Sequence, residues 1–286
     1  MKPLLNKLAG RQFKPPKRGR RWQDNTPLVQ YLKDQICAEH ETGVAGAIRA
    51  TTGGTPLARG VAIGAGTGFN ERALVKAGLV EHFDLYEVSE TRVAEARAAA
   101  AEAGMSDNFS EYLEDAFATE KSEEYDIVYW QDALHHMPDI DQAIGWSIRA
   151  LKPGGLLVVH DYIGPTRLQW RRSEVRAARQ FLADNADLIE VDRVRVRQGG
   201  PFRRFKQFWR DPSEAPHSDK IPGIYAKHTG QPLTILGGAM IHLCGGFTVG
   251  LEQKDPEIHN RLIALDQKMR DQGIYHFAFG LWKKPS

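Results

Sequence analysis

"VAIGAGTGFNE", Val61 to Glu71, sets three glycines on alternate positions directly after a short apolar run. Glycine takes left-handed backbone angles freely and leaves space beside the main chain, so such a loop lets something come close. A strand running into this loop, with a helix behind it, opens a ligand-binding βαβ unit. The ligand is either a pyrophosphate or another group that needs the same bare turn. The dinucleotide fingerprint G-x-G-x-x-G has a third glycine that lets the helix pack closely on the sheet. The spacing here, Gly64-Ala65-Gly66-Thr67-Gly68, lacks that position.

Outward from the loop, strand and helix signals alternate. "RGVAIGAG" reads as a strand and "NERALVKAGL" as a helix, then "FDLYEV" as a second strand. "SETRVAEARAAAAEAG" is a strong helix, with Ser89 placed to cap it and Gly104 to end it. "FSEYLED" and "YDIVYWQ" are the third and fourth strands. "DIDQAIGWSIRAL" is an amphipathic helix stopping at Lys152-Pro153-Gly154-Gly155, read as a turn, before a fifth strand "LLVVHDY". This alternation predicts a doubly wound, mostly parallel α/β sheet covered on both faces. An N-terminal helix opens at Thr26-Pro27. About seventy residues then separate the fifth strand from the next strand candidate, "LTILGGAMIHL". They carry an Arg-rich helix, "LQWRRSEVRAARQFLADN", and an irregular aromatic-basic run, and are read as a lid. A helix around Asn260 to Arg270 and a strand "GIYHFAFGLWKK" close the chain.

The 286 residues are 42% hydrophobic and 26% charged, with a net charge of +2, as in an ordinary globular protein. Apolar runs such as Gly155 to Val159 and Gly237 to Ile241 are too short for a membrane span. The start lacks the apolar core of a signal peptide, which places the chain in the cytoplasm. Cys37 and Cys244 have no metal or redox spacing and read as plain thiols of a reducing compartment. Residues 1 to 21 hold eight Lys or Arg and no acid, and Thr166 to Arg210 hold twelve basic against five acidic residues. Each is a solvated face or a surface for an anionic partner.

Two acids narrow the ligand. Glu87 stands nineteen residues after Gly68, at the end of the second strand, where a carboxylate accepts bonds from both ribose hydroxyls. Asp115 follows the third strand with Ala116 and Phe117, where an acid can meet an adenine amine and an aromatic ring can lie against the base.

With "VAIGAGTG", "LYEVSE", "EDAF", "YDIVYWQDALHHMPD" and "LKPGGLLVVHDY" in this order, residues 58 to 162 resemble the class I S-adenosylmethionine-dependent methyltransferases. The resemblance implies a Rossmann-like sheet with an antiparallel last strand, and S-adenosyl-L-methionine as cofactor. It implies that Gly64, Gly66 and Gly68 turn under the methionine end, Glu87 holds the ribose, Asp115 and Ala116 border the adenine, and Gln131 borders the methionine. "RRWQDNTPLVQYL", "DYIGPTRLQW" and "DPSEAPHSDKIPG" are similar to pieces of a bacterial subgroup found in glycan settings. Many of its members have an arginine where this chain has Pro216-His217.

S-adenosylmethionine arrives activated, so the enzyme must align an acceptor, exclude water and, for a hydroxyl, remove a proton. The candidates are His136, with His135 beside it, and Asp161 and Tyr162 where the fifth strand ends. His160, inside that strand, reads as a core histidine. Arg167, Gln169 and Trp170 are the candidate acceptor wall, a cationic fork beside a flat apolar face. Trp22 and Asp24 are placed to close over the cofactor, or else to pack and to cap a helix. No metal site is expected, Asp132, His136 and Asp161 being the nearest set. After the fourth strand stands "QDAL", not the Asn/Asp-Pro-Pro-Tyr loop of amino-group methylation, and no paired cysteines point to RNA cytosine chemistry.

The expected organisation is a basic arm and helix over residues 1–50, then a methyltransferase domain over 51–286 with a lid at about 163–232. The expected function is O-methylation of a polar small molecule such as a sugar or glycan precursor. An RNA methyltransferase with the arm and Arg-rich helix as a phosphate track is one rival, disfavoured by the interrupting acids. A cofactor-binding regulator without catalysis is the other. Oligomeric state has no signature in the sequence.

Overall fold

The computed structural model describes residues 21–36, 43–189 and 213–286. Nearly all of the basic arm, Cys37 and the aromatic-basic run over 190–212 lie outside the described residues.

Helices α1 (Thr26–Asp34) and α2 (Gly43–Thr52) lead into β1 (Leu57–Ile63), α3 (Phe69–Lys76), β2 (Val80–Glu87), α4 (Glu90–Glu102) and β3 (Phe109–Leu113). After them come β4 (Tyr125–Gln131), α5 (Ile140–Ala150), β5 (Leu151–Tyr162), α6 (Arg172–Asp184) and α7 (Ile221–Thr229). The chain ends with β6 (Thr234–Gly237), α8 (Ala239–Cys244), α9 (Ile258–Asp271) and β7 (Phe277–Lys283). The cap read at Ser89 forms, and Asp139 supplies a second one. Ser89 Oγ accepts from Arg92 N at 3.4 Å to cap α4, and Asp139 accepts from Gln142 N at 2.9 Å to cap α5.

The seven strands form one sheet in the order β3-β2-β1-β4-β5-β7-β6. β1 to β5 pair in parallel, while β7 runs antiparallel to both β5 and β6, as the resemblance implied. Alternate residues along each strand feed two apolar layers. Phe83, Tyr129 and Val158 face one, and Tyr86, Trp130 and Val159 the other. The chain order reverses between β1 and β4, so a crevice opens at their carboxyl ends, where open α/β sheets take their ligands.

Two expectations change. Lys152-Pro153-Gly154-Gly155 belongs to β5 and is not a separate turn; the extra residues are absorbed by a register shift between the pairs Tyr125–Leu151 and Ile127–Leu156. "LTILGGAMIHL" is a strand only as far as Gly237. Gly237 and Gly238 take φ of +89° and +82°, and Asp266 accepts from Gly238 N at 2.7 Å and Met240 N at 2.8 Å. That carboxylate on α9 satisfies the first amides of α8, so the apolar run turns into a helix.

Candidate active site

The glycine loop sits at the carboxyl end of β1. Gly64, Gly66 and Gly68 have φ of +66°, +59° and +65°, angles that a side chain strains to reach. Gly66 N donates to Glu87 Oε2 at 3.2 Å, tying the loop to the end of β2. Glu87 Oε1 accepts from Val88 N at 2.8 Å and Ser89 N at 3.0 Å. The carboxylate is thereby pinned before any ligand arrives. Behind the loop, Glu71 in the first turn of α3 is buried, its Oε2 has no partner, and burial lifts its carboxyl to about 7.

Around this crevice, large apolar side chains face solvent. Phe69 is 70% exposed, Val88 53% and Leu113 52%, each just beyond or at the carboxyl end of β1, β2 or β3. Each offers exposed apolar area on the side of the sheet where the strands end. The sequence reading missed them; an apolar residue directly after the ribose-type acid was the available signal. Asp115 is exposed and its Oδ1 accepts from Phe117 N at 3.0 Å, while Ala116 is buried. Phe117 lies with its ring stacked on Trp130 at 6.5 Å and edge-on to Trp146 at 5.9 Å.

At the ends of β4 and β5 the polar groups interlock. Gln131 Nε2 donates to His160 Nδ1 at 2.6 Å and to Asp132 Oδ2 at 3.0 Å, and its Oε1 accepts from Tyr129 OH at 3.0 Å. His160 is therefore half-buried at the crevice with Gln131, not enclosed in the core. Asp161, a candidate base, points the other way. It is fully buried, accepts from Ala133 N at 3.0 Å, Leu134 N at 2.7 Å and Tyr162 N at 2.7 Å, and binds His135 Nδ1. It positions the loop after β4 and does not face an acceptor. Burial works against its charge, but His135 and these amides outweigh it and hold the carboxyl below its usual range.

His135 and His136 lie with ring centroids 4.1 Å apart. Burial pulls His135 down, yet the Asp161 charge overrides it and pushes the imidazole up to about 9. His136 is held low by burial and by its neighbour His135. Its Nδ1 is paired with the Ser213 carbonyl at 3.2 Å, and Glu214 Oε1 lies 3.9 Å from His135 Nε2. Glu214 comes from the stretch "DPSEA" and was not expected in the site. Tyr162, the other candidate base, is buried, donates to Pro165 O at 3.1 Å and meets His135, His242 and His276 edge-on. Burial, reinforced by Glu174, keeps its phenol well above the usual value.

The chain leaving β5 turns sharply. Arg167 and Leu168 have φ of +57° and +54°, and Arg167 N donates to Ala215 O at 2.7 Å. Gln169 Nε2 donates to Arg167 O at 2.8 Å, and Trp170 stands edge-on to His242. A cavity of about 710 Å³ opens here, with Gln169, Arg171, Glu174, His217, Asp219 and Lys220 among its lining. Trp22 packs on Phe277 at 5.1 Å, at the same end of the sheet, and Asp24 accepts from Arg21 N at 2.8 Å without capping α1.

Residues 61–159, from the strand before the glycine loop to the middle of β5, match the family model described as a methyltransferase domain. The chain therefore carries a methyltransferase domain, with S-adenosylmethionine as its cofactor. Its fold is similar to that of a putative sarcosine dimethylglycine methyltransferase from Galdieria sulphuraria, with 18% identity, a TM-score of 0.51, and 84% of this chain and 82% of that one covered. It is also similar to phosphoethanolamine N-methyltransferase 2 from Haemonchus contortus in complex with S-adenosyl-L-methionine. There the identity is 16%, the TM-score 0.53, and the match covers 84% of this chain and 51% of that one, about half its length. At these identities the likeness is one of fold. No curated protein matches the chain.

In this methyltransferase the crevice has two unlike halves. The half by β1 to β3 offers bare backbone, one pinned carboxylate and apolar surface. The half by β4 and β5 offers two imidazoles and a carboxylate, and the cavity past the end of β5 has a mixed polar and apolar lining. No helix among the described residues is long and apolar enough to cross a membrane.

Proposed function

We propose that the enzyme transfers the methyl group of S-adenosylmethionine to a hydroxyl oxygen of a polar small molecule, such as a sugar or glycan precursor. The cofactor lies across the first half of the crevice. Gly64, Gly66 and Gly68 pass under its methionine end beside Gln131, and Glu87 accepts from the ribose hydroxyls. Val88 and Leu113 flank the adenine, with Asp115 and Ala116 at its edge. Trp22 borders the site from the N-terminal side through Phe277.

The observation that carries the acceptor reading is the meeting of His135, His136 and Glu214 at the ends of β4 and β5, next to the expected sulfonium. An acceptor hydroxyl has to be oriented there and lose its proton. The nearby cavity has cationic, acidic and amide groups among apolar ones, a lining that can take a hydroxyl-rich molecule. Arg167, Gln169 and Trp170 shape the turn from which that wall is built. The test is turnover on a panel of neutral and anionic sugars, compared between wild type, Gln169→Ala and Arg167→Ala. A several-fold rise in KM for one acceptor class is expected, and full activity in both variants places the acceptor elsewhere.

A further inference from the structure

The two histidines after β4 are oriented by partners that only accept. His135 Nδ1 faces the Asp161 carboxylate, and His136 Nδ1 faces the Ser213 carbonyl. Each Nδ1 therefore carries a hydrogen, so Nε2 is the atom free to ligate, a cation taking the place of any proton there. A histidine that ligates a metal nearly always donates its other ring N–H to a carboxylate or carbonyl in this way. Here both do.

One donor atom from each of His135, His136 and Glu214 lies within 4.8 Å of the others, and His135 Nε2 stands 3.9 Å from Glu214 Oε1. Two ligands on one ion, with bonds of about 2.1 Å, stand roughly 3 to 4 Å apart. The frame behind them is rigid. Asp161 also holds the amides of Ala133, Leu134 and Tyr162, and Ala215, next to Glu214, is buried with a strained φ of +46°.

We infer that His135, His136 and Glu214 form a binding site for one first-row divalent cation. Two imidazoles and one carboxylate suit zinc, iron, cobalt or nickel, whereas magnesium and calcium prefer all-oxygen shells. Three protein ligands leave coordination positions open. For catalysis, a clause that rests on the hydroxyl-acceptor reading, the cation binds the acceptor oxygen and acidifies its O–H. The proton passes to solvent, the oxygen forms a bond to the methyl carbon, and the C–S bond breaks with its electron pair kept by sulfur. Binding of the cation itself does not depend on that reading.

The test uses the purified full chain, stripped with a chelator and titrated with Co²⁺, followed by visible absorption and by metal analysis after dialysis. Wild type should bind one cobalt per chain with the absorption of a low-coordinate nitrogen-oxygen site. His136→Ala and Glu214→Gln should each weaken binding at least about tenfold, and Asp161→Asn about ten- to a hundredfold. His228→Ala, in the exposed cluster with Asp141 and Lys227, should leave it unchanged. Glu214→Gln is conservative at a half-buried position, and its circular dichroism shows whether the fold persists. No cobalt bound by wild type, or equal binding in His136→Ala and Glu214→Gln, overturns the site. A chain that methylates a hydroxyl at full rate in excess chelator overturns the cation's part in catalysis and leaves the acceptor reading standing. One that binds cobalt through these residues but transfers no methyl supports the site and removes that reading.

Discussion

Asp161 Oδ1 and His135 Nδ1 share a hydrogen bond of 2.5 Å across 26 residues of sequence, both groups buried. The same carboxylate carries the amides of Ala133 and Leu134, so one side chain on β5 sets the whole loop after β4. Removing it in Asp161→Ala takes the acceptor from an imidazole and from the amides of Ala133, Leu134 and Tyr162. We expect a stability loss of about 3–5 kcal/mol, read by urea unfolding. A loss below about 1 kcal/mol would mean that the loop is held by something else.

That bond also marks what the sequence could not tell. The α4 boundaries at Ser89 and Gly104, the order of β1 to β5, and the positions of the glycine loop and Glu87 rest on local chemistry, and all were legible. The helical turn of "GGAMIHL" was not, because its amides are satisfied by Asp266 from a later helix. Asp161 looked like a base because strand alternation does not tell which way a residue at a strand end turns. Glu214 joins His135 only through the fold, from a segment far along the chain. Val88 and Leu113 read as ordinary strand residues until their exposure is seen.

Glu87 should carry cofactor affinity. Losing its charge-assisted bonds to the ribose costs about 1.5–3 kcal/mol, or roughly ten- to a hundredfold in Kd. Calorimetry on Glu87→Ala with S-adenosylhomocysteine checks this. Tight NAD binding by wild type would point to a different nucleotide.

Val88 offers a cleaner separation of binding from stability. It is more than half exposed, so Val88→Ala should leave Tm within about 2 °C. Covering it with adenine removes apolar area from water, so the same variant should lose about 1 kcal/mol of binding, roughly fivefold. Unchanged affinity would move the adenine away from this surface.

Glu71 makes a pH prediction. Its carboxyl is raised from 4.5 to about 7 by burial, so the folded state holds the proton more tightly than the unfolded chain. The stability of this group is fully present below pH 4.5 and is lost as pH rises through 7. That difference in proton affinity corresponds to about 3 kcal/mol. Glu71→Gln should therefore stabilise the protein at pH 8 and have little effect at pH 4.5. A stability difference between the two proteins that stays constant across that range would show that folding does not raise this carboxyl.

The central claim is methyl transfer to oxygen on a small molecule, and the most direct measurement is where a labelled methyl goes. The enzyme is incubated with isotope-labelled S-adenosylmethionine, a pool of hydroxylated small molecules and, separately, RNA, and products are resolved by mass spectrometry and NMR. We predict the label as a methyl ether on a small molecule, formed at least about a hundredfold more slowly by His136→Ala. RNA binding should be weak, without the loss of about 10³ or more between 50 and 200 mM salt that six phosphate contacts produce. Label in RNA or on nitrogen, or tight cofactor binding with no transfer to any acceptor, would contradict the account.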